Sequence, residues 1–432
     1  MSPTPPTSTR FQRFAWCFYD FANSAFPTVI VTAVYVLYFK GVVVGDSEPG
    51  ESDRLWGLSN SIAAGVVFLV APVLGAVADL SGRKRHFLIG FASLCVAATA
   101  LLSLTGPGTV ALAVGAFIAA SVGFEGSCVF YNAFLPQLVG PDRMERLSGA
   151  GWALGYIGGL GCLLVVLPIA ATDGPVGVVP LIVAAWFAVF SIPALVSLED
   201  RGRTERVAGD PGYLIMGVRR LAGTFRQIRR HANLVRFLAA YFFYNNAVLT
   251  IIVFAVAFSK DSLQFAMTES IVLIIMMNVV AAPGAYVFGR IAGRVGARRT
   301  ILTTLVMWLA VVLGAEVAAW MSSAGMVGAA KISFWGVSVL ASLCIGAIQA
   351  NSRAFVGQMA PQGRSSEFYG FMAFAGKGAA VLGPIVFGFA SELFDQRVAV
   401  GTIGAFFLAG LILMLRVKEP AREPVEDLEV TN

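Results

Sequence analysis

Apolar positions along this chain fall in long, nearly unbroken runs, not in the alternating or half-turn patterns of a water-soluble fold. A helix needs about 20 mostly apolar residues to cross roughly 30 Å of hydrocarbon. Twelve runs reach that length, at about 14–40, 55–78, 86–105, 109–137, 148–170, 177–198, 236–258, 269–291, 300–321, 332–358, 366–391 and 398–416. They predict an all-α membrane protein with twelve transmembrane helices. The longest polar interval, about 199–235, divides them six and six. The expected organisation is an N-terminal bundle (1–198), a linker (199–235), a C-terminal bundle (236–416) and a tail (417–432). In the linker, Tyr213, Leu214, Gly217, Val218, Leu221, Phe225 and Ile228 recur at helical spacing among Arg219, Arg220, Arg226, Arg229 and Arg230. This predicts a short basic amphipathic helix on the membrane surface, with a solvated linker as the alternative. Met1 to Arg13 lacks the features of a cleaved signal, so the first run is expected to direct its own insertion.

Composition agrees with the pattern. The chain is 57% hydrophobic and 13% charged, against about 25% charged in soluble domains. Charge distribution then sets orientation. If the N-terminus is cytoplasmic, 24 of the 31 Lys and Arg lie on the cytoplasmic side, five lie outside, and Arg353 and Lys377 fall within spans. Cationic residues collect on the cytoplasmic side of membrane proteins. Both termini are therefore expected in the cytoplasm, and the short loops suit a bacterial-type plasma (inner) membrane. The same distribution explains the net charge of +6 without nucleic acid. Cys17, Cys95, Cys128, Cys162 and Cys344 sit in or beside apolar runs, at no metal-ligand spacing, and read as small core residues.

The two halves repeat. Tyr19, Asn23 and Ala25 recur as Tyr241, Asn245 and Ala247 at an offset of 222. Gly75, Gly82 and Arg85 recur as Gly289, Gly296 and Arg299 at 214, and Ala133, Phe134, Gln137, Arg143 and Gly149 as Ala354, Phe355, Gln358, Arg364 and Gly370 at 221. Parallel six-helix repeats are a transporter architecture, with the solute site near mid-membrane between them.

The stretch Gly75-Ala-Val-Ala-Asp79-Leu-Ser-Gly82-Arg83-Lys84-Arg85 resembles the signature loop of the major facilitator superfamily. A second copy, Gly289 to Arg299, carries Gly293 where the acid would be. The opening Trp16-Cys-Phe-Tyr19-Asp20-Phe-Ala-Asn23-Ser24-Ala25-Phe26, with Phe130-Tyr131-Asn132-Ala133-Phe134-Leu135-Pro136, is similar to the vacuole-effluxer-like branch, relatives of a fungal autophagy-related vacuolar amino-acid exporter. The resemblance implies alternating access, a cavity lined by spans one, four, seven and ten, and a cytoplasmic gate in which Asp79 and Arg83, with Gly75 and Gly82, latch against span eleven. The residues alone also fit a positive-inside loop with a helix-ending acid.

Ionisable residues inside spans are costly and usually pair or line a pathway. Asp20, Glu125, Arg353 and Lys377 are such residues, and their charges cancel. Both acids lie in the first half and both bases in the second. Helical rise places Asp20 and Arg353 in the cytoplasmic third, with Glu125 and Lys377 nearer the middle. One reading has them hold the carboxylate and ammonium of an amino-acid-like solute, with Asp20 or Glu125 also available for a coupling proton. The other has them form salt bridges that fasten a closed state. Asn23, Tyr131, Asn132, Tyr244, Asn245 and Gln349 complete the candidate set, with interhelical packing as their alternative.

A membrane-embedded enzyme would need a nucleophile–base pair or metal cluster, and His86 and His231 sit on separate segments outside any such motif. A transporter-derived sensor would usually carry an added soluble domain. The expectation is therefore a monomeric transporter in membrane lipid, moving a small solute with no cofactor. Export of amphipathic compounds is the alternative to amino-acid transport.

Overall fold

The computed structural model describes residues 8–45, 50–170, 176–200, 215–219, 223, 231–393 and 396–420. Twelve long helices run through them. They are α1 (Arg10–Val44), α2 (Glu51–Ser81), α3 (Lys84–Leu104), α4 (Val110–Leu138), α5 (Met144–Ala170) and α6 (Val179–Ser197). The second set is α7 (Ala232–Leu263), α8 (Met267–Val295), α9 (Ala297–Ser323), α10 (Val327–Met359), α11 (Ser365–Leu393) and α12 (Gln396–Leu415). Lipid offers no hydrogen bonds, and a helix satisfies its own backbone. Large apolar side chains such as Leu69, Leu313 and Ile332 accordingly stand exposed on the outer surface, at 69%, 66% and 76%. The chain is an integral, multi-pass membrane protein.

The helices form two pseudo-symmetric bundles. In the first, α1 packs on α5 and α6, α2 on α4, and α3 on α4 and α6. Each partnership recurs six helices later, as α7 on α11 and α12, α8 on α10, and α9 on α10 and α12. The bundles meet along two main seams, α2 with α11 and α5 with α8.

Glycine permits both seams. A Cβ on Gly75 would lie 2.3 Å from the Ser366 carbonyl, and one on Gly370 2.7 Å from that of Ala71. In the other seam a Cβ on Gly289 would lie 2.8 Å from the Glu145 carbonyl, and one on Gly149 2.5 Å from that of Ala285. These are the same contacts related by the repeat offsets, so the duplication seen in sequence is a duplication of backbone approach. All four contacts sit towards the end of the molecule that carries the α2–α3, α4–α5, α8–α9 and α10–α11 turns. Arg83, Arg85, Arg143, Arg299 and Arg364 lie there, and it is called the basic end below.

Two local features shape the helices. Gly82 ends α2 in the left-handed region (φ 63°), which turns the chain sharply into α3. Pro27 cannot donate a backbone hydrogen bond, and from Phe26 to Ala33 α1 widens into π-helical turns. Of the linker helix expected from periodicity, Tyr213, Leu214, Leu221, Phe225 and Ile228 lie outside the described residues. Residues 215–219 are helical, and Gly217 is buried against Val73 and Val77 of α2.

Candidate functional site

Arg353, six residues before the end of α10, projects across the interface into the first bundle. Its Nη1 donates to Asp20 Oδ2 of α1 at 2.8 Å and to Asn132 Oδ1 of α4 at 3.4 Å. Nε donates to the Ser148 hydroxyl of α5 at 2.8 Å, and Nη2 to the Ser148 carbonyl at 2.7 Å. That hydroxyl donates onward to the Ala350 carbonyl of α10 at 2.6 Å. Trp16, Trp152 and Tyr131 present ring faces 4.7, 5.6 and 5.7 Å from the guanidinium carbon. The ion pair is almost sealed, with side-chain exposures of 4% for Arg353 and 11% for Asp20. A buried guanidinium is tolerable only when its donors are matched and its charge countered. Here Asp20, Asn132 and Ser148 match the donors, and the carboxylate and ring quadrupoles counter the charge. Gly151 leaves the room, since a Cβ there would lie 2.6 Å from Asp20 Oδ2 and 2.8 Å from Arg353 Nη2.

The repeat accounts for part of this cluster. At the offset of 221, Arg353 occupies the place of Asn132, and Tyr369 that of Ser148. Asn132 and Ser148 accept from Arg353, while the Tyr369 hydroxyl donates to its carbonyl at 2.8 Å. Two helix crossings related by duplication thus converge on one arginine.

Glu125 of α4 and Lys377 of α11 form a second ion pair between the bundles. Lys377 lies twelve residues into α11, about 18 Å along the helix from the basic end, so this pair is deeper than the first. It is also more open, with exposures of 22% for Lys377 and 28% for Glu125. Gly376, the neighbour of Lys377, lies against the Tyr241 hydroxyl and the Asn245 amide. Asn245 Oδ1 accepts from Gln349 Nε2 at 3.4 Å. Four helices, α4, α7, α10 and α11, therefore bring polar groups to this level. Phe68 and Phe374 stack across the same seam with ring centroids 3.9 Å apart.

At the basic end, Asp79 closes α2 against the first turn of α11. Its Oδ1 accepts from the Ser366 N–H at 3.2 Å and its Oδ2 from the Glu367 N–H at 2.9 Å. These are unpaired donors of a helix start, and a carboxylate is stabilised there. The cation beside Asp79 is Lys84, at 3.2 Å and 3% exposed. Lys84 also donates to the Ser365 hydroxyl at 2.6 Å, which donates to the Ala133 carbonyl at 2.8 Å. This corrects the expectation for Arg83, which stands exposed. The left-handed turn at Gly82 directs Arg83 outward and Lys84 back into the interface.

Two other expected site residues, Tyr244 and Asn23, lie within single bundles. Tyr244 is buried inside the second bundle, its hydroxyl 2.8 Å from that of Ser352. Asn23 contacts Cys128 within the first bundle, Nδ2 to Sγ at 3.7 Å. Tyr131 is buried beneath the Arg353 cluster, stacked with Trp16 and Tyr19. No pattern in the sequence marks Ser148 or Ser365, because a lone serine near a helix start is common. Trp152 could have been found one turn from Ser148 on α5. Among the described residues, no group of His, Cys, Asp and Glu is placed to hold a metal.

The bonds described at the basic end join the two bundles there, and the Glu125–Lys377 pair lies deeper than they do. Comparison with known proteins places the arrangement in a family. Residues 55–423 match the family model described as "Vacuole effluxer Atg22 like". An uncharacterized MFS-type transporter of Bacillus subtilis, YxiO, is 30% identical over 94% of this chain and 95% of its own. Autophagy-related protein 22 of Coccidioides immitis is 24% identical over 91% of this chain and 77% of its own. The human organic anion transporter MFSD10 shares the fold at 15% identity, with a TM-score of 0.76 over 94% of this chain and 99% of that one. The chain therefore belongs to the vacuole effluxer Atg22-like family, and it is a transporter of the major facilitator type.

Proposed function

We propose that the protein moves a small zwitterionic solute, an amino acid or close relative, by alternating access between its two bundles in a plasma-type membrane. The basic end and both termini face the cytoplasm in this reading, as the bias of cationic residues supports. The observation that carries it is the Glu125–Lys377 pair, which spans the bundles at mid-depth yet stays partly open.

An amino acid carries the same two charges in one molecule. Its carboxylate would take Lys377 and its ammonium Glu125, replacing a protein ion pair with two protein–solute pairs. Tyr241, Asn245 and Gln349 flank that position with neutral donors and acceptors. The Asp20–Arg353 pair and the bonds of Asp79 and Lys84 to the start of α11 hold the cytoplasmic end shut until solute or proton binding shifts the balance between states. A ligand drives such a shift only by binding one state better than the other. Competition at a bridge that exists in one arrangement of the bundles provides that difference. In this reading Glu125, the more open of the two acids, also carries the coupling proton.

The test is uptake of labelled amino acids into proteoliposomes, with unlabelled competitors, by the wild type and Lys377→Met. Saturable uptake that Lys377→Met lacks is expected. The proposal is overturned if no amino acid is taken up or competes, or if Lys377→Met matches the wild type. A second reading, export of amphipathic compounds, is favoured by the Phe68–Phe374 stack across the same seam. Competition by apolar cations or anions, with none by amino acids, would select it.

A further inference from the structure

The two seams are built alike but charged differently. In the α2–α11 seam the protein supplies its own anion, Asp79. In the α5–α8 seam the repeat offset of 214 puts Gly293 at that place, and Arg290 and Arg294 where the first half has Ala76 and Leu80. At the offset of 221, Arg146 stands where the other seam has Glu367. The side chain of Arg146 lies over Gly293, its Nε 2.7 Å from where a Cβ would sit.

Here Arg13, Arg143, Arg146, Arg290 and Arg294, with Tyr286, line a cavity of about 590 Å³ at the basic end. Arg143 lies 3.4 Å from Asp142, Arg290 lies over the Tyr286 ring at 4.7 Å, and Glu145 is buried nearby at the start of α5. Among the described residues, Arg13, Arg146, Arg290 and Arg294 form no ion pair with a carboxylate of the protein. Like charges gathered this closely repel one another unless an anion sits among them.

The geometry points to an anion-binding site in this cavity, specific for a phosphate-bearing ligand that takes the place Asp79 fills in the sister seam. Guanidinium forks match phosphate oxygens. Tyr286, Arg290 and Arg294 form one stripe of α8, and the adjacent stripe is Val287, Ile291 and Val295, exposed to 48%, 41% and 44%. An anionic lipid would lay its headgroup on the first stripe and its acyl chains along the second. A soluble phosphate would use the first alone. Because the cavity takes residues from α1, α5 and α8, the ligand binds both bundles at once and stabilises closure of this end. By linkage, an opened basic end binds it more weakly.

The experiment uses the full chain in uncharged maltoside micelles, without phosphate, and follows thermal unfolding. Phosphatidylglycerol, phosphatidylcholine and inorganic phosphate are added separately. The expected result is a rise in midpoint of about 2–4 °C with phosphatidylglycerol and little with phosphatidylcholine. A rise with inorganic phosphate alone would assign the site to a soluble anion. R146Q/R290Q/R294Q should lose the response. Gly293→Asp, in which the flexible Arg146 side chain moves aside, should raise the midpoint without ligand and blunt the response, because it restores the sister seam's carboxylate. The proposal is overturned if neither phosphatidylglycerol nor phosphate raises the midpoint, or if Gly293→Asp responds as the wild type does. None of these readouts depends on which solute is carried, or on whether transport is measurable.

Discussion

Asp20 and Arg353 lie 333 residues apart in the chain and 2.8 Å apart in the structure, and their contact joins the first helix of one bundle to the fourth of the other. Breaking one side of a buried pair leaves a stranded charge, at a cost of about 3–5 kcal/mol. That cost falls on the closed arrangement, where the pair is made. Asp20→Asn should therefore favour opening of the basic end. A cysteine at Ala350, which is fully buried where Ser148 crosses α10, would report it. In a background free of other cysteines, thiol labelling of Ala350→Cys should be slow alone and at least tenfold faster with Asp20→Asn. Equal rates would show that the pair does not hold the end shut.

Adjacent cations in the α2–α3 turn should behave differently. Lys84 is buried against Asp79 and Ser365, whereas Arg83 is exposed. Lys84→Met leaves the Asp79 carboxylate with only the α11 N–H donors. A destabilisation of the closed state by about 3 kcal/mol is expected, read as a lower thermal midpoint and faster labelling at the same reporter. Arg83→Met should change neither. The reverse ranking would mean that the turn folds back the other way.

Why the sequence misassigned that cation, while the spans were legible, comes down to what periodicity encodes. The helices are written in residues that must meet lipid, so length and hydropathy reveal them. The repeat offsets relate glycines that the structure sets against backbone, because Gly75 and Gly289 face equivalent carbonyls. Four charges within the spans were visible too, but not their pairing. Whether Asp20 meets Arg353 or Lys377 depends on how helices from different bundles cross. Tyr244 lies one turn from Tyr241, yet its ring turns into its own bundle. Lys84 and Arg83 are chemically close, and only the backbone turn at Gly82 separates their directions. Ser148 becomes functional only through the helix opposite it.

Gly75 offers a steric test of the closed seam. A methyl group there would sit 2.3 Å from a backbone carbonyl of α11, and backbone cannot swing aside as a side chain does. Overpacking of this kind costs about 1–3 kcal/mol. Gly75→Ala should lower the thermal midpoint and speed labelling at the Ala350→Cys reporter. Gly90→Ala on α3 is the control, because nothing lies within 4 Å of the added carbon. It should be neutral or stabilising by up to about 1 kcal/mol through helix propensity. Matching effects of the two substitutions would remove close packing as the explanation.

In the proposed cycle Glu125 is the residue that would tie solute movement to protons. Lys377 is its partner in this arrangement of the bundles, and a rearrangement that separates the two would free the carboxylate to exchange a proton. Protonation on one side of the membrane and release on the other would then accompany each cycle. Glu125→Gln keeps the shape and hydrogen-bonding capacity but cannot exchange a proton. If the carboxylate is the coupling site, the variant should lose accumulation driven by a pH gradient while retaining counterflow exchange of labelled for unlabelled solute. Counterflow needs only binding and reorientation of the loaded carrier, so its survival would separate coupling from folding or solute recognition. Gradient-driven accumulation at wild-type levels in Glu125→Gln would remove this residue from proton transfer and leave it a role in the ion pair alone.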